Sequence, residues 1–195
     1  MNSEQICLRT PNAHYSGLTV AVLSLLTEKG YKMYNAKMQN RKKRVYVDSS
    51  VVGGKFNTRL AEQTKPFWDA VERGEITIIV SDVLIDELNG APERAREFYR
   101  SLPESLIERV VSTDESDDLA EKYIAENVVG ESSLADCKHI ALATITCADV
   151  LVSWNFKHIV NIDRIQGYNS VNEKLGYPRI EIRTPYPYEV IHDEN

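Results

Sequence analysis

The sequence predicts an α/β fold, a mostly parallel central sheet with helices layered on both of its faces. Three observations carry that expectation. Short β-branched runs recur from Arg44 onward, each followed by an amphipathic stretch. The runs are apolar throughout rather than alternating, as strands covered on both faces are. The chain has 195 residues, 43% hydrophobic and 27% charged, which suits a globular protein with a sizeable core.

The predicted strands are Val45–Val47, Ile76–Val80, Leu106–Val111 and Val150–Val152. Amphipathic periodicity predicts helices over about Thr58–Arg73, Asp82–Asn89, Pro92–Leu102, Ser116–Asn127 and Ser133–Cys147. Ser81 and Ser133 stand where N-caps belong, and Pro92 suits a first helical turn. No internal repeat or low-complexity segment interrupts this order.

Charge divides the chain unevenly. Residues 1–43 hold seven Lys or Arg against two acids, net +5, and the remainder is net -11. The first segment shows no strand alternation and only a weak helical stretch from Leu18 to Glu28, so it reads as a basic appendage, with residues 44–195 as the folded domain. Met38 precedes the first strand closely, which makes an over-extended gene start, with residues 1–37 dispensable, the expectation for that segment. An overall charge of -6 excludes a basic sheath for nucleic acid, so phosphate contacts must be local. Cys7, Cys137 and Cys147 lack zinc-ligand spacing and cannot all pair within one chain, which points to a reducing, cytoplasmic setting. The apolar stretch Gly17–Leu26 is too short to span a bilayer, and no signal peptide is expected.

In an open α/β sheet, ligands bind beyond the carboxyl ends of the strands. Asp48 stands there after the first strand, although a turn or cap before Ser49 and Ser50 explains it equally well. On the helix after the second strand, a step of about 100° per residue puts Glu87 between Val83 and Leu84, on the inward side. It needs a partner there, an arginine or a cation. Asp82 and Asp86 fall opposite and read as solvated charges. On the helix at Ser133, Asp136 shares a stripe with Ile140 and Ala143. A capping box from Ser133 to Asp136 is the bland alternative. Asn155 follows the Val150–Val152 strand and adds a fourth oxygen, whereas Asp149 opens that strand and belongs at the opposite pole. An oxygen-only set suits Mg²⁺ or Mn²⁺ rather than zinc, and such ions serve phosphodiester hydrolysis.

These residues resemble a known family. Val45-Tyr46-Val47-Asp48-Ser49-Ser50, the Ser81–Leu88 segment, the Leu134–Ala143 helix and Ala148–Asn155 are similar, in order, to the motifs of PIN-domain nucleases, and Ile182–Pro185 looks like the family's terminal strand. The resemblance implies a three-layer fold and a Mg²⁺- or Mn²⁺-dependent endoribonuclease of the VapC type, the toxin of a type II toxin–antitoxin pair. By this resemblance Asp48, Glu87 and Asp136 are catalytic metal ligands, with Asn155 a weak ligand where the family often has Asp. Ser153 matches a frequent hydroxyl position that would contact phosphate or orient Asn155. Lys157, His139 and His158 are candidates for substrate contact, although an isolated His is more often a surface or core residue, with Lys55 and Arg59 around the site mouth and Trp154 or Phe156 as stacking surfaces for a base. The expected products are a 5′-phosphate and a 3′-hydroxyl. The expected partners are an RNA substrate, a cognate antitoxin and a second copy in a homodimer, with no membrane.

Other chemistries fit less well. An aspartyl-nucleophile phosphatase needs a second Asp two residues beyond the first, and position 50 is Ser. Gly53-Gly54-Lys55-Phe56 lacks phosphate-loop spacing, and a receiver-like phosphoacceptor needs paired acids after the first strand. The alternative from another class is a catalytically silent PIN-like module that binds RNA or protein, suggested by Asn155 and the acidic body.

Overall fold

The computed structural model describes residues 42–185. The basic segment therefore lies outside the described residues save for its last two, and so does Gly17–Leu26. Strand β1 (Lys43–Val47) leads into helix α1 (Ser49–Gly54) and then α2 (Ala61–Glu72). Strand β2 (Ile76–Ser81) is followed by α3 (Asp82–Asn89) and α4 (Glu93–Ser101). After β3 (Ile107–Val110) come α5 (Asp114–Ala125), α6 (Leu134–Ile145), β4 (Val150–Val152), α7 (Ile162–Leu175) and β5 (Ile182–Arg183).

All strand pairs are parallel, in the order β3-β2-β1-β4-β5. The chain winds outward from β1 in one direction through β2 and β3, then in the other through β4 and β5. The crevice between β1 and β4 is thus the topological switch point, where α/β proteins place ligands. Val47 lies beside Val152 in register, so Asp48 and Ser153 leave the sheet side by side.

Alternation along β1 divides the core. Val45 and Val47 join Phe67, Trp68, Leu84 and Leu88 on one face, and Tyr46 joins Leu119, Tyr123, Ile140 and Tyr168 on the other. Two apolar layers on one sheet make the α/β/α sandwich. Among the described residues no helix is long and apolar enough to cross a membrane.

Several local expectations change. Strand β3 is shorter than its apolar run: Leu106 ends a 3₁₀ turn, and Val111 is 66% exposed at the sheet edge. Helix α1 forms although its sequence is SSVVGG, because Asp48 accepts the Val51 amide at its start and Val51 and Val52 are buried. Gly54 is required by close approach, since a Cβ there would meet the Trp154 ring at 2.7 Å. Helix α7 packs Ile165, Tyr168 and Val171 on the core beside the buried polar Asn169 and Asn172; Asn161 caps its first turn and Gly176 closes it at φ +80°.

Candidate functional site

Asp48 is 4% exposed at the end of β1. It does cap α1, and it does more. Its Oδ1 accepts from Ser50 Oγ at 2.6 Å and its Oδ2 from Ser153 Oγ at 2.7 Å. Ser153 in turn accepts the Asn155 amide at 2.8 Å, and Ser50 accepts the Trp154 amide at 2.8 Å. The ends of β1 and β4 are stitched through one carboxylate.

The next acid continues the network. Asn155 Nδ2 donates to Asp136 Oδ1 at 2.8 Å, while Asn155 Oδ1 accepts the amides of Lys157 and His158 at 3.2 and 3.0 Å. Those backbone donors fix which way the amide faces. Asn155 therefore presents N–H, not oxygen, to Asp136, and as it stands it orients a carboxylate instead of adding a ligand. Ser153 is fully buried; its hydroxyl donates to Asp48, accepts the Asn155 amide and lies 3.4 Å from Ser50 Oγ, so it holds Asp48 and the Asn155 backbone.

Glu87 lies on the inward side of α3, and its partner is a histidine, not an arginine. His139 Nε2 stands 3.2 Å from Glu87 Oε2. His139, 1% exposed on α6, also meets Tyr46 Oη at 2.9 Å through Nδ1. Sequence spacing could have found it, because His139 lies three residues after Asp136 on the same helical face. The sequence offered it as a substrate-contact candidate, not as the partner of Glu87.

Two other expectations fail. Ser133 makes no cap: a 3₁₀ turn, Glu131–Ser133, precedes α6, and the buried Ser133 hydroxyl has no hydrogen-bond partner. Asp136 is thereby left to Asn155. Asp82 is not a solvated charge either, since it accepts from the Ser112 amide and hydroxyl at 2.9 and 3.0 Å and ties α3 to the end of β3. Ser81 does cap α3, accepting from the Leu84 amide at 3.2 Å. Asp149 sits at the opposite pole, where its carboxylate accepts the Arg44 amide at 2.8 Å.

The charge of Glu87 acts on both of the other acids. Burial pushes the Asp48 carboxyl above the usual range; His139 and the Ser50 and Ser153 hydroxyls offset only part of that, and the charge of Glu87 adds to it. Asp136 is raised in the same way, by burial first, with His158 and His139 opposing and Glu87 reinforcing. Burial also pushes Glu87 up, but the His139 contact and the Ser49 hydrogen bond outweigh it and hold that carboxyl low. Among the described residues no Lys or Arg forms an ion pair with any of the three.

The donor chemistry, carboxylate and hydroxyl oxygen, fits a hard divalent cation. Among the described residues no three His, Cys, Asp or Glu side chains already stand grouped to hold an ion. Both oxygens of Asp48 already accept hydrogen bonds, whereas Asp136 accepts the Asn155 bond through Oδ1. Around the site, Trp154 is anchored by Nε1 donating to Thr64 Oγ1 at 3.0 Å, and Phe156 leans on it, 56% exposed. Lys157 and Arg59 are exposed, whereas Lys55 lies over the Phe98 ring with Nζ 4.4 Å from its centroid.

No protein-family model and no curated protein match the chain. Among solved structures, the chain is similar to VapBC2 from Rickettsia felis bound to a DNA fragment from their promoter. The identity is 12% and the TM-score 0.45, covering 72% of this chain and 98% of that one.

Proposed function

We propose that the chain is a divalent-metal-dependent ribonuclease that hydrolyses RNA phosphodiester bonds at the carboxyl ends of β1 and β4. One observation carries this reading: Asp48 and Asp136 are tied to the residues just past the ends of β1 and β4, the charge of Glu87 acts on both, and among the described residues no Lys or Arg pairs with any of the three. A buried carboxylate without a counter-ion is costly, and a fold that keeps one at its ligand crevice reserves it for a cation.

Asp48, Glu87 and Asp136 would hold Mg²⁺ or Mn²⁺, which when bound polarises a phosphate and makes hydroxide available near neutral pH. The protein supplies the frame. Ser50 and Ser153 fix Asp48, Asn155 fixes Asp136, and His139 fixes Glu87. Lys157 on the loop beyond Asn155 is the substrate-contact candidate. The motif resemblance supplies RNA as substrate, a 5′-phosphate product, the toxin role, a cognate antitoxin and a homodimer.

The test is incubation of the purified full chain with structured and single-stranded RNAs and Mg²⁺ or Mn²⁺, with mapping of the product ends. Cleavage leaving 5′-phosphates, abolished by EDTA and by Asp136→Asn, is the expected result. A second reading, a silent binding module, is favoured by the amide N–H that Asn155 turns toward Asp136. RNA bound tightly but left intact by the folded protein would select it.

A further inference from the structure

Helix α3 begins and ends one closed circuit of hydrogen bonds. Ser81 caps its first turn; Ser81 Oγ lies 2.7 Å from Tyr46 Oη on β1; Tyr46 Oη meets His139 Nδ1 on α6; and His139 Nε2 returns to Glu87 on α3. Tyr46 is fully buried and His139 1% exposed, and their rings pack edge to face at 5.7 Å. A buried imidazole with both nitrogens engaged has one orientation available to it.

The protons in the circuit point one way. An ionised Glu87 carboxylate only accepts, so the proton on that side belongs to His139 Nε2. On the other side, either Tyr46 donates to Nδ1 and Ser81 donates to Tyr46, or Nδ1–H donates to Tyr46 and Tyr46 donates to Ser81. Both arrangements leave Nε2–H aimed at Glu87.

We propose that His139 is a positioning residue for the acids of this site, its Nε2–H holding the Glu87 carboxylate in place while Tyr46 and Ser81 lock the ring. This rests on the metal-site reading above. The alternative is that His139 merely fills space between β1 and α6. The two roles separate because the amide nitrogen of Gln reproduces Nε2 and that of Asn reproduces Nδ1. A space-filling residue would not distinguish them, whereas a Glu87 donor would.

The experiment compares wild type, His139→Gln and His139→Asn as full chains. It measures Mn²⁺ affinity by electron paramagnetic resonance, kcat and KM for RNA cleavage, and Tm in EDTA. The proposal expects both variants to fold, with Gln within about threefold of wild type in Mn²⁺ affinity and kcat. Asn should lose about 10- to 100-fold in both, the usual range for a residue that orients a metal ligand. KM should stay unchanged in each. Equal losses in the two variants, or none in either, with wild type binding Mn²⁺ normally, would overturn the positioning role and leave the metal reading standing. A wild type that takes up no Mn²⁺ would overturn both. Should the variants unfold in EDTA, Tyr46→Phe keeps the ring and frees the imidazole. A Mn²⁺ affinity at least about threefold weaker is then expected, and an unchanged affinity would refute the circuit.

Discussion

At the amino end of the sheet, Arg44 donates to both oxygens of Glu108 at 2.8 and 2.5 Å and to the Thr146 and Cys147 carbonyls at 3.0 Å, while its amide binds Asp149. At the carboxyl end, Asp48, Glu87 and Asp136 are as firmly held, but by hydroxyls, an amide and an imidazole. The first pole sets a guanidinium against its acids, and the Glu108 contact holds that guanidinium above even its ordinary range. At the second, no Lys or Arg pairs with the three acids among the described residues. If the acids of the second pole are reserved for a cation, as proposed, the poles should respond in opposite ways to mutation, metal and pH.

The largest contrast is in activity. Asp48→Asn or Asp136→Asn should lower metal-dependent RNA cleavage by about a thousandfold or more, some 4 kcal/mol of transition-state stabilisation. Residual activity within tenfold of wild type would dissolve the distinction between the poles. Metal should act on one pole alone. Mn²⁺ at about 100 times its Kd should stabilise wild type by about 2.7 kcal/mol, or roughly 5–10 °C in Tm for a chain of this size, and Asp136→Asn much less. Arg44→Met should remove about 2 kcal/mol, roughly 4–8 °C in Tm, and leave the cleavage rate of the folded fraction unchanged. A loss of cleavage without a loss of Tm would show that the amino pole also serves function.

The smallest effect is in the pH dependence of stability, read from Tm as a function of pH. Folding raises the pKa of Asp48, so the folded chain binds that proton more tightly, and protonation favours the fold. Asp48→Asn should therefore match wild type below the ordinary Asp value of 3.8 and gain on it as pH rises through the raised folded value. Glu87 has the opposite sign. Its folded pKa is lowered, so its contribution is present above the ordinary Glu value of 4.5 and is lost as pH falls through the folded value. Glu87→Gln should destabilise at neutral pH and become neutral in acid. Parallel curves for the two variants would contradict the split between them.

How much of this was legible in the sequence follows from which forces are local. The central strands announced themselves, because a strand covered on both faces must be apolar at every position, as Val45–Val47 and Val150–Val152 are. The edge strand β3 blurred, since half of it faces outward. Helix α7 was hidden because its inner face mixes Asn169 and Asn172 with Ile165, Tyr168 and Val171. Asn169 pairs with both backbone groups of Ile180, and Asn172 with Tyr123 and Thr144. Polar residues used in that way interrupt the hydrophobic period. Helix α1 was hidden by Gly53 and Gly54, the second kept small by Trp154, about a hundred residues away in sequence.

Within the site, helical spacing was enough to turn Glu87 and Asp136 inward and strand order enough to set Asp48 at the crevice. The residues that orient them were only partly readable. Ser50, Ser153 and Asn155 meet their acids through contacts across the sheet, which no local pattern encodes, and His139 is marked only by its spacing from Asp136. Ser153 holds Asp48 and the Asn155 backbone, in keeping with the orienting role that was one of the two expected for it, and Asn155 donates to Asp136. Asp82 turns from solvent to Ser112 because β3 ends beside the start of α3, with Ser81 opposite Val110.

The central claim is that the acids of the carboxyl pole form a cation site. It is tested most directly by calorimetric titration of Mn²⁺ into the full chain, wild type beside Asp48→Asn and Asp136→Asn. Saturable uptake by wild type, weakened at least about tenfold in each variant, is the predicted result. No saturable uptake, or uptake indifferent to both substitutions, would contradict it.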